Sequence, residues 1–188
     1  MQTWIDFYQP FFRRQQDVEK FVSDCERLGP PNNAAKILMH QTQRLVSLSD
    51  DVEAIRPHDE PLKVMFLIVC AENIAKLHDR FTRGGQSGAY VRKFFNDFLS
   101  QSNKDLLGSG FVDANDCMLG FDKAIDMLYD IRCDVVHEGN YASFAFHDGS
   151  MPMVNTDPPV EAHLQFSDVR NIVVKGCIGA VQSRLAVP

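Results

Sequence analysis

The sequence predicts an all-α fold: a bundle of five to six helices with a small β-hairpin inserted before the last helix. Along most of the 188 residues, apolar side chains recur every three to four positions, which is the helical period. Glycine and proline clusters interrupt this pattern, as expected at helix ends. After Gly139 the spacing changes to an alternation of apolar and polar residues, which is typical of short strands. Together these observations predict one domain over residues 1–188.

Four helices are predicted in the first hundred residues. Their ranges are 2–28, 32–55, 61–83 and 87–100. The first ends at a Gly-Pro-Pro run, Asn32 or Asn33 can cap the second, and Pro61 suits the first turn of the third. The third helix is apolar nearly all round, so we expect it at the centre of the bundle.

A fifth helix is predicted from Phe121 to about residue 138, after a loop over 108–116. Its apolar stripe has helical spacing and comprises Phe121, Ala124, Leu128, Ile131 and Val135. The insert over 140–160 is predicted as a hairpin or ordered loop with a turn at Asp148-Gly149, and Ser167 as the N-cap of a closing helix. The domain is thus divided into N-terminal helices (1–60), a core with the motif helix (61–138), the insert and the closing helix (167–186).

The composition predicts a cytoplasmic protein without a membrane segment. No run of eighteen apolar residues occurs, and the N-terminus lacks the pattern of a signal peptide. The five cysteines are scattered and form no C-x-x-C pair, which favours reduced thiols and no metal. Three His-Asp dipeptides resemble part of a metal-dependent phosphohydrolase motif, but two of them fall in predicted loops. We expect no cofactor. The net charge of −6 argues against non-specific coating of nucleic acid but allows a local basic site.

The run LYDIRCDVVHEGNY, residues 128–141, carries the pattern of greatest interest. Arg132 and His137 form an R-x4-H pair near the end of the fifth helix, which the chain leaves through Gly139. At 100° per residue, five residues place two side chains about 140° apart on an α-helix. The pair could therefore reach one ligand only if a second surface completed the cleft.

This run resembles the motif helix of the HEPN superfamily, particularly of its Apea-like branch. In those proteins an aromatic residue, an arginine, a short spacer, a valine-histidine and a glycine follow in that order. The resemblance extends upstream to PLKVMFLIVCAENIAKLHDRF, where the family has an apolar helix with an internal glutamate, here Glu72. Downstream, LQFSDVRNIVVKGCIGAV is similar to the closing helix. The likeness covers roughly residues 61–185.

The resemblance implies a homodimer in which two motif helices face one another, and in many members a metal-independent endoribonuclease. On this chain the catalytic pair would be Arg132 and His137. The residues with supporting roles would be Glu72, Cys133, Asp134 and Tyr141. Some members are toxins paired with an antitoxin, and others only bind nucleic acid or nucleotides. The family often has a polar residue after the arginine, where this chain has Cys133. A non-catalytic module that binds RNA, a nucleotide or a protein partner therefore stays open, as does a toxin-like or defence-like role.

The chemistry of the pair suits RNA cleavage. Without a metal the reaction needs a base for the 2′-hydroxyl proton, an acid for the leaving oxygen, and positive charge on the phosphate. Histidine can act as base or acid, and arginine offers a fixed fork that matches phosphate oxygens. One histidine cannot readily act as the base and as the acid in the same step. A two-fold dimer would bring two histidines and two arginines into one cleft.

Two charged patterns bear on RNA binding. A basic island that could follow a phosphate backbone, or only keep a solvated face soluble, comprises Lys76, Arg80, Arg83, Arg92 and Lys93. The first three of these residues are spaced to share one helix face. An acidic row on the motif helix comprises Asp122, Asp126, Asp130, Asp134 and Glu138. It would repel phosphate in the cleft, so we expect it to face solvent or a basic partner such as an antitoxin.

Overall fold

The computed structural model describes residues 1–27, 29, 33–80, 86–140, 144–146 and 160–186, and within these ranges the chain is mostly helical. Eight α-helices occur there. They are α1 (Gln2–Tyr8), α2 (Gln15–Arg27), α3 (Ala34–Ile55), α4 (Glu60–His78), α5 (Ser87–Phe98), α6 (Gln101–Ser109), α7 (Phe121–Cys133) and α8 (Phe166–Leu185). A 3₁₀ turn spans Gln9–Phe11, a π turn spans Asp134–Glu138, and two short strands are β1 (Phe111–Asp113) and β2 (Val160–Ala162).

The prediction of an all-α fold is confirmed, but the prediction of five to six helices is wrong for the described chain. The first predicted helix is divided into α1 and α2, because Pro10 lies in the 3₁₀ turn and Phe12 is extended. The helix α6 was not predicted. Ser100 begins it, since its backbone is extended and its side chain accepts a hydrogen bond from the Asn103 N–H.

The prediction that the third helix is central is confirmed. Helix α4 packs against α3, α5, α7 and α8, and Leu67, Ile68 and Ile74 are fully buried. Pro61 lies in its first turn, and the side chain of Asp59 accepts a hydrogen bond from the Leu62 N–H at the N-cap. The helix ends at His78 and not at residue 83, because the chain turns through Asp79 and a left-handed Arg80.

The small sheet is formed by residues far apart in the chain. Strand β1 lies between α6 and α7 and pairs antiparallel with β2, so that Phe111 is opposite Ala162 and Asp113 is opposite Val160. The insert therefore returns to the bundle beside the start of α7. The turn of the predicted hairpin, and most of its 140–160 range, lie outside the described residues. Within that range Phe144 and Phe146 are buried without forming a strand.

The motif helix keeps its predicted apolar stripe but changes its winding. Leu128, Ile131 and Val135 are buried, while the α-helix ends at Cys133 and continues as the π turn. The chain leaves this turn through Gly139, which has a left-handed conformation (φ 64°) that glycine adopts without strain.

The closing helix α8 begins at a capping box that the sequence prediction placed two residues too late. Gln165, and not Ser167, is the N-cap, and its backbone N–H donates to Asp168 Oδ2 at 2.9 Å. None of the helices in the described part of the chain is long and apolar enough to cross a membrane.

Candidate functional site

Arg132, in the last turn of α7, contacts the buried middle of α4. Its Nη2 donates a hydrogen bond to Glu72 Oε2 at 3.4 Å, across sixty residues of sequence. Both side chains are largely buried, with exposed fractions of 15% for Arg132 and 9% for Glu72. The arginine and the glutamate that the sequence predicts as site residues are therefore brought together, and the packing of α4 against α7 fixes their distance.

Glu72 is the acceptor for a cluster of three donors. Its Oε2 receives the bond from Arg132, while its Oε1 accepts from the Lys76 ammonium and from Ser87 Oγ, the latter at 2.7 Å. Burial acts most strongly on Glu72 and opposes ionisation. Hydrogen bonds from Lys76 and Ser87, and the charges of Lys76 and Arg132, outweigh it and lower the pKa of Glu72 below its ordinary value. The carboxylate is thus ionised at neutral pH.

The hydrogen-bonding capacity of Arg132 is mostly unused. A guanidinium has five N–H donors, and Glu72 takes one of them through a single long bond. The Arg132 Nε is buried and has no hydrogen-bond partner among the described residues. Because a buried donor without an acceptor is unfavourable, the described residues do not meet the hydrogen-bonding needs of this guanidinium.

An aromatic ring lies beside the arginine. The guanidinium carbon of Arg132 is 5.8 Å from the centre of the Tyr129 ring, one helical turn earlier on α7. Gly88 of α5 lets the backbone approach this ring, since a Cβ at that position would lie 3.3 Å from Tyr129 Cε1. Burial, followed by the neighbouring Cys133 thiol, raises the pKa of Tyr129 above its ordinary value. The Cys133 thiol is therefore a neighbour of Tyr129, and its side chain is half-buried.

His137 lies on the surface in the π turn. It is exposed, and it forms no hydrogen bond or ion pair with any residue that the structure describes. Hydrogen bonds from i to i+5 make a wider turn than the α-helix, with less rotation per residue. The five-residue step from Arg132 to His137 therefore comes closer to a full turn, and the two side chains are less divergent than the 140° that a continuous α-helix predicts.

The other supporting residues contribute less to this arrangement. Asp134 is half-buried at the start of the π turn, where its carbonyl oxygen accepts from the Asn140 N–H at 3.2 Å. Its side chain has no ion-pair partner among the described residues. Tyr141 lies outside the described residues.

Three residues of the predicted basic island form ion pairs with carboxylates. Lys76 contacts Glu72, Arg92 contacts Asp126 at 2.7 Å, and Lys93 lies 2.7 Å from Asp97. Arg80 is exposed but follows the end of α4 in a left-handed conformation, so the prediction that it shares a helix face with Lys76 is wrong. Arg83 lies outside the described residues. Much of the positive charge is therefore already matched by carboxylates.

The acidic row faces outward. Asp122, Asp130 and Glu138 are exposed, and Asp126 and Asp134 are half-buried. Although the side chain of Asp130 is exposed, partial desolvation by the residues around it, followed by the negative charges of Asp126 and Asp134, raises its pKa. Neighbouring carboxylates of the row therefore repel one another. The ion pair between Asp126 and Arg92 connects the row to the basic residues of α5.

Sequence reasoning missed the roles of Ser87 and Tyr129 and the pairing of Lys76. The Glu72-Lys76 spacing of four residues is a signal for a helical ion pair and could have indicated it. Tyr129 is three residues before Arg132, a spacing that places both on one helix face. Ser87 carries no such signal, because α5 meets α4 only through the tertiary fold.

Metal-binding groups are not evident in the described part of the chain, where no cluster of three or more His, Cys, Asp or Glu side chains could hold an ion. All five cysteines are free thiols. A cavity of about 290 Å³ lies between α2 and the end of α8, and shares no residue with the Arg132 cluster.

Comparison with known proteins adds no relative: no family model, no curated protein and no solved structure matches this chain.

Proposed function

We propose that this protein is a HEPN-like, metal-independent endoribonuclease that acts as a homodimer. In this proposal Arg132 binds the scissile phosphate and His137 transfers a proton at the reacting oxygens. The observation that carries the proposal is that Arg132, held at the end of the motif helix and still partly exposed, makes a single long hydrogen bond to Glu72 and leaves most of its N–H donors without an acceptor among the described residues.

The charge of the cluster also favours a phosphate. Two cations, Lys76 and Arg132, share the single carboxylate of Glu72, so one positive charge remains in a largely buried place. A guanidinium matches two phosphate oxygens through parallel N–H bonds, which are stronger when both partners are charged. An RNA phosphate would therefore supply both the missing negative charge and the missing acceptors.

The position of His137 agrees with a cleft completed by a second subunit. Its ring is exposed at the end of the motif helix, and the adjacent Val136 exposes 48% of its surface. If two copies pack motif helix against motif helix, each cleft gains a second histidine, so that one can act as base and the other as acid.

The alternative is a HEPN-like module that binds RNA, a nucleotide or a protein partner without cleaving. One observation favours it. No described residue orients the ring of His137, whereas a general base has to lie within hydrogen-bond reach of the proton that it takes. The Arg132 cluster would serve such a module equally well as an anion site.

Cleavage of a structured RNA in EDTA distinguishes the two functions. We expect the purified dimer to release products with 2′,3′-cyclic phosphate ends, and His137→Ala to lower the rate about 10²–10⁴-fold. Arg132→Ala should reduce both RNA binding and cleavage. His163→Ala is the matched control, because His163 is also exposed but lies beside β2.

The outcomes separate clearly. Equal cleavage by the wild type and His137→Ala would refute the nuclease. Absence of cleavage by a folded dimer, with RNA binding that Arg132→Ala abolishes, would establish the binding module instead.

A further inference from the structure

The contact between Arg132 and Glu72 is weaker in geometry than an arginine–carboxylate pair usually is. Such pairs frequently form two parallel hydrogen bonds, one to each carboxylate oxygen. Here Arg132 reaches only Oε2, at 3.4 Å. The reason lies on the other oxygen: Oε1 accepts from both the Lys76 ammonium and Ser87 Oγ, which occupy its two lone pairs.

We propose that Lys76 and Ser87 are positioning residues that keep Arg132 available for an anionic ligand. They fill Oε1 of Glu72, limit Glu72 to one bond with the guanidinium, and so leave the other N–H donors of Arg132 for a phosphate. This inference rests on the function proposed above. It also gives Lys76 a different role from the RNA-backbone contact that the sequence predicts.

The physical basis is competition for one group. If Oε1 were vacated, Glu72 could rotate and bind Arg132 through both oxygens, and a ligand would then have to displace two charged hydrogen bonds. Loss of one charge-assisted hydrogen bond corresponds to roughly tenfold in affinity or more. Neither Lys76 nor Ser87 has to touch the ligand for this effect, since both act through Glu72.

Substitution of Ser87 distinguishes the proposed positioning role from a simple effect of charge on anion binding. Replacement of Lys76 removes a positive charge near the site, which would weaken binding of any anion. Replacement of Ser87 changes no charge, and its Oγ lies 2.7 Å from Glu72 Oε1. If the Lys76 and Ser87 substitutions both weaken anion binding, the cause is therefore the loss of hydrogen bonds to Glu72 Oε1 and not the loss of charge alone.

The test measures binding of a fluorescein-labelled, single-stranded 20-nucleotide RNA in EDTA by anisotropy. All variants carry His137→Ala, so that the RNA is not cleaved. We expect Lys76→Met to weaken binding about tenfold and Ser87→Ala a few-fold. With Glu72→Gln also present, Ser87→Ala should not change the affinity further, and Lys76→Met should cause only the smaller loss that follows from removing its charge, since the carboxylate through which both act is gone. Lys175→Met is the charge-matched control, because Lys175 is exposed on the otherwise largely buried α8, and we expect less than a twofold effect.

A crystal structure of Lys76→Met gives a second readout that does not depend on RNA. We expect two hydrogen bonds between Arg132 and Glu72 in place of one. An unchanged single contact would overturn the inference, even if Glu72→Gln failed to fold.

Binding results can overturn it in two further ways. If Lys76→Met weakened binding equally with and without Glu72, Lys76 would contact the RNA directly. If Ser87→Ala bound as tightly as its parent while Arg132→Ala lost binding, the positioning role would fail and the proposed function would stand. If Arg132→Ala kept full affinity, the proposed function would fail and the inference with it.

Discussion

Glu72→Gln is the substitution from which we expect the largest loss of stability at this site. The change keeps the size of the side chain and removes its charge. Glu72 is the only carboxylate that contacts Lys76 and Arg132 in the described structure. Both cations would lose their counter-charge in a place that is largely closed to water.

The magnitude follows from the burial of the three groups. Removal of one partner from a buried ion pair destabilises by about 3–5 kcal/mol. Lys76 and Arg132 are 24% and 15% exposed, so water recovers part of this loss. The Gln oxygen can also still accept a hydrogen bond. We therefore expect the free energy of unfolding to fall by about 3 kcal/mol, which for a chain of this size lowers Tm by roughly 6–12 °C.

The loss should depend on pH, because the pKa of Glu72 is lower in the folded protein than its ordinary value of 4.5. An acid with a lowered folded pKa stabilises the fold above its unfolded pKa, and this stabilisation is lost as pH falls through the folded pKa. Protonated Glu72 also resembles Gln. The difference between the wild type and Glu72→Gln should therefore be full at pH 7 and shrink well below pH 4.5.

Urea unfolding, followed by the helical circular dichroism signal at pH 7 and pH 3, measures both effects. Glu19→Gln is the matched control, since Glu19 is exposed and its side chain accepts a hydrogen bond from Gln15 alone among the residues that the structure describes. We expect that control to change stability by less than about 0.5 kcal/mol. A loss below about 1 kcal/mol for Glu72→Gln, or a loss of equal size at both pH values, would refute the reasoning.

Two further substitutions test packing and the acidic row. Gly110→Ala should lower Tm by several degrees, because its Cβ would lie 2.2 Å from Leu164 Cδ1, which overpacks the core by about 1–3 kcal/mol. Gly29→Ala is the control and should leave Tm unchanged, because no atom lies within 4 Å of the added Cβ. Equal Tm values for the two variants would contradict this prediction. Asp130→Asn should stabilise the protein at pH 7 by a few tenths of a kcal/mol, because it removes repulsion along α7. Asp122→Asn should not, since Asp122 lies in the first turn of the same helix, where negative charge is favourable. Urea unfolding of both variants measures the two free energies. If Asp122→Asn stabilised the protein as much as Asp130→Asn, the explanation by repulsion would be wrong.

Local signals in the sequence predicted much of the fold. Helix α3 ends at Ile55 and α8 ends at Leu185, both within one residue of their predicted ends. The central place of α4 follows from its nearly continuous apolar character, because such a helix is stable only when it is surrounded. Pro10 is also a local signal for the break between α1 and α2, but the apolar period continues across it and predicts a single longer helix.

The β1–β2 pairing could not be predicted in the same way. Phe111 and Ala162 are paired although the whole of α7 and the insert separate them in the sequence. Strands of three residues are too short to carry a clear alternation. The alternation within the insert therefore predicts a local hairpin, whereas β2 pairs with β1, which lies before α7.

The candidate site shows the same division between local and tertiary information. The R-x4-H spacing selected Arg132 and His137, and the resemblance added Glu72, but spacing alone says nothing about which atoms are in use. The sequence predicts Lys76 only as one of several positive charges in the basic island, because a count of charges does not distinguish one lysine from another. Its contact with Glu72 makes it a competitor of Arg132 for one carboxylate. The capacity of Arg132 to bind a phosphate then depends less on the total charge of the basic island than on how many Glu72 oxygens accept hydrogen bonds from Arg132.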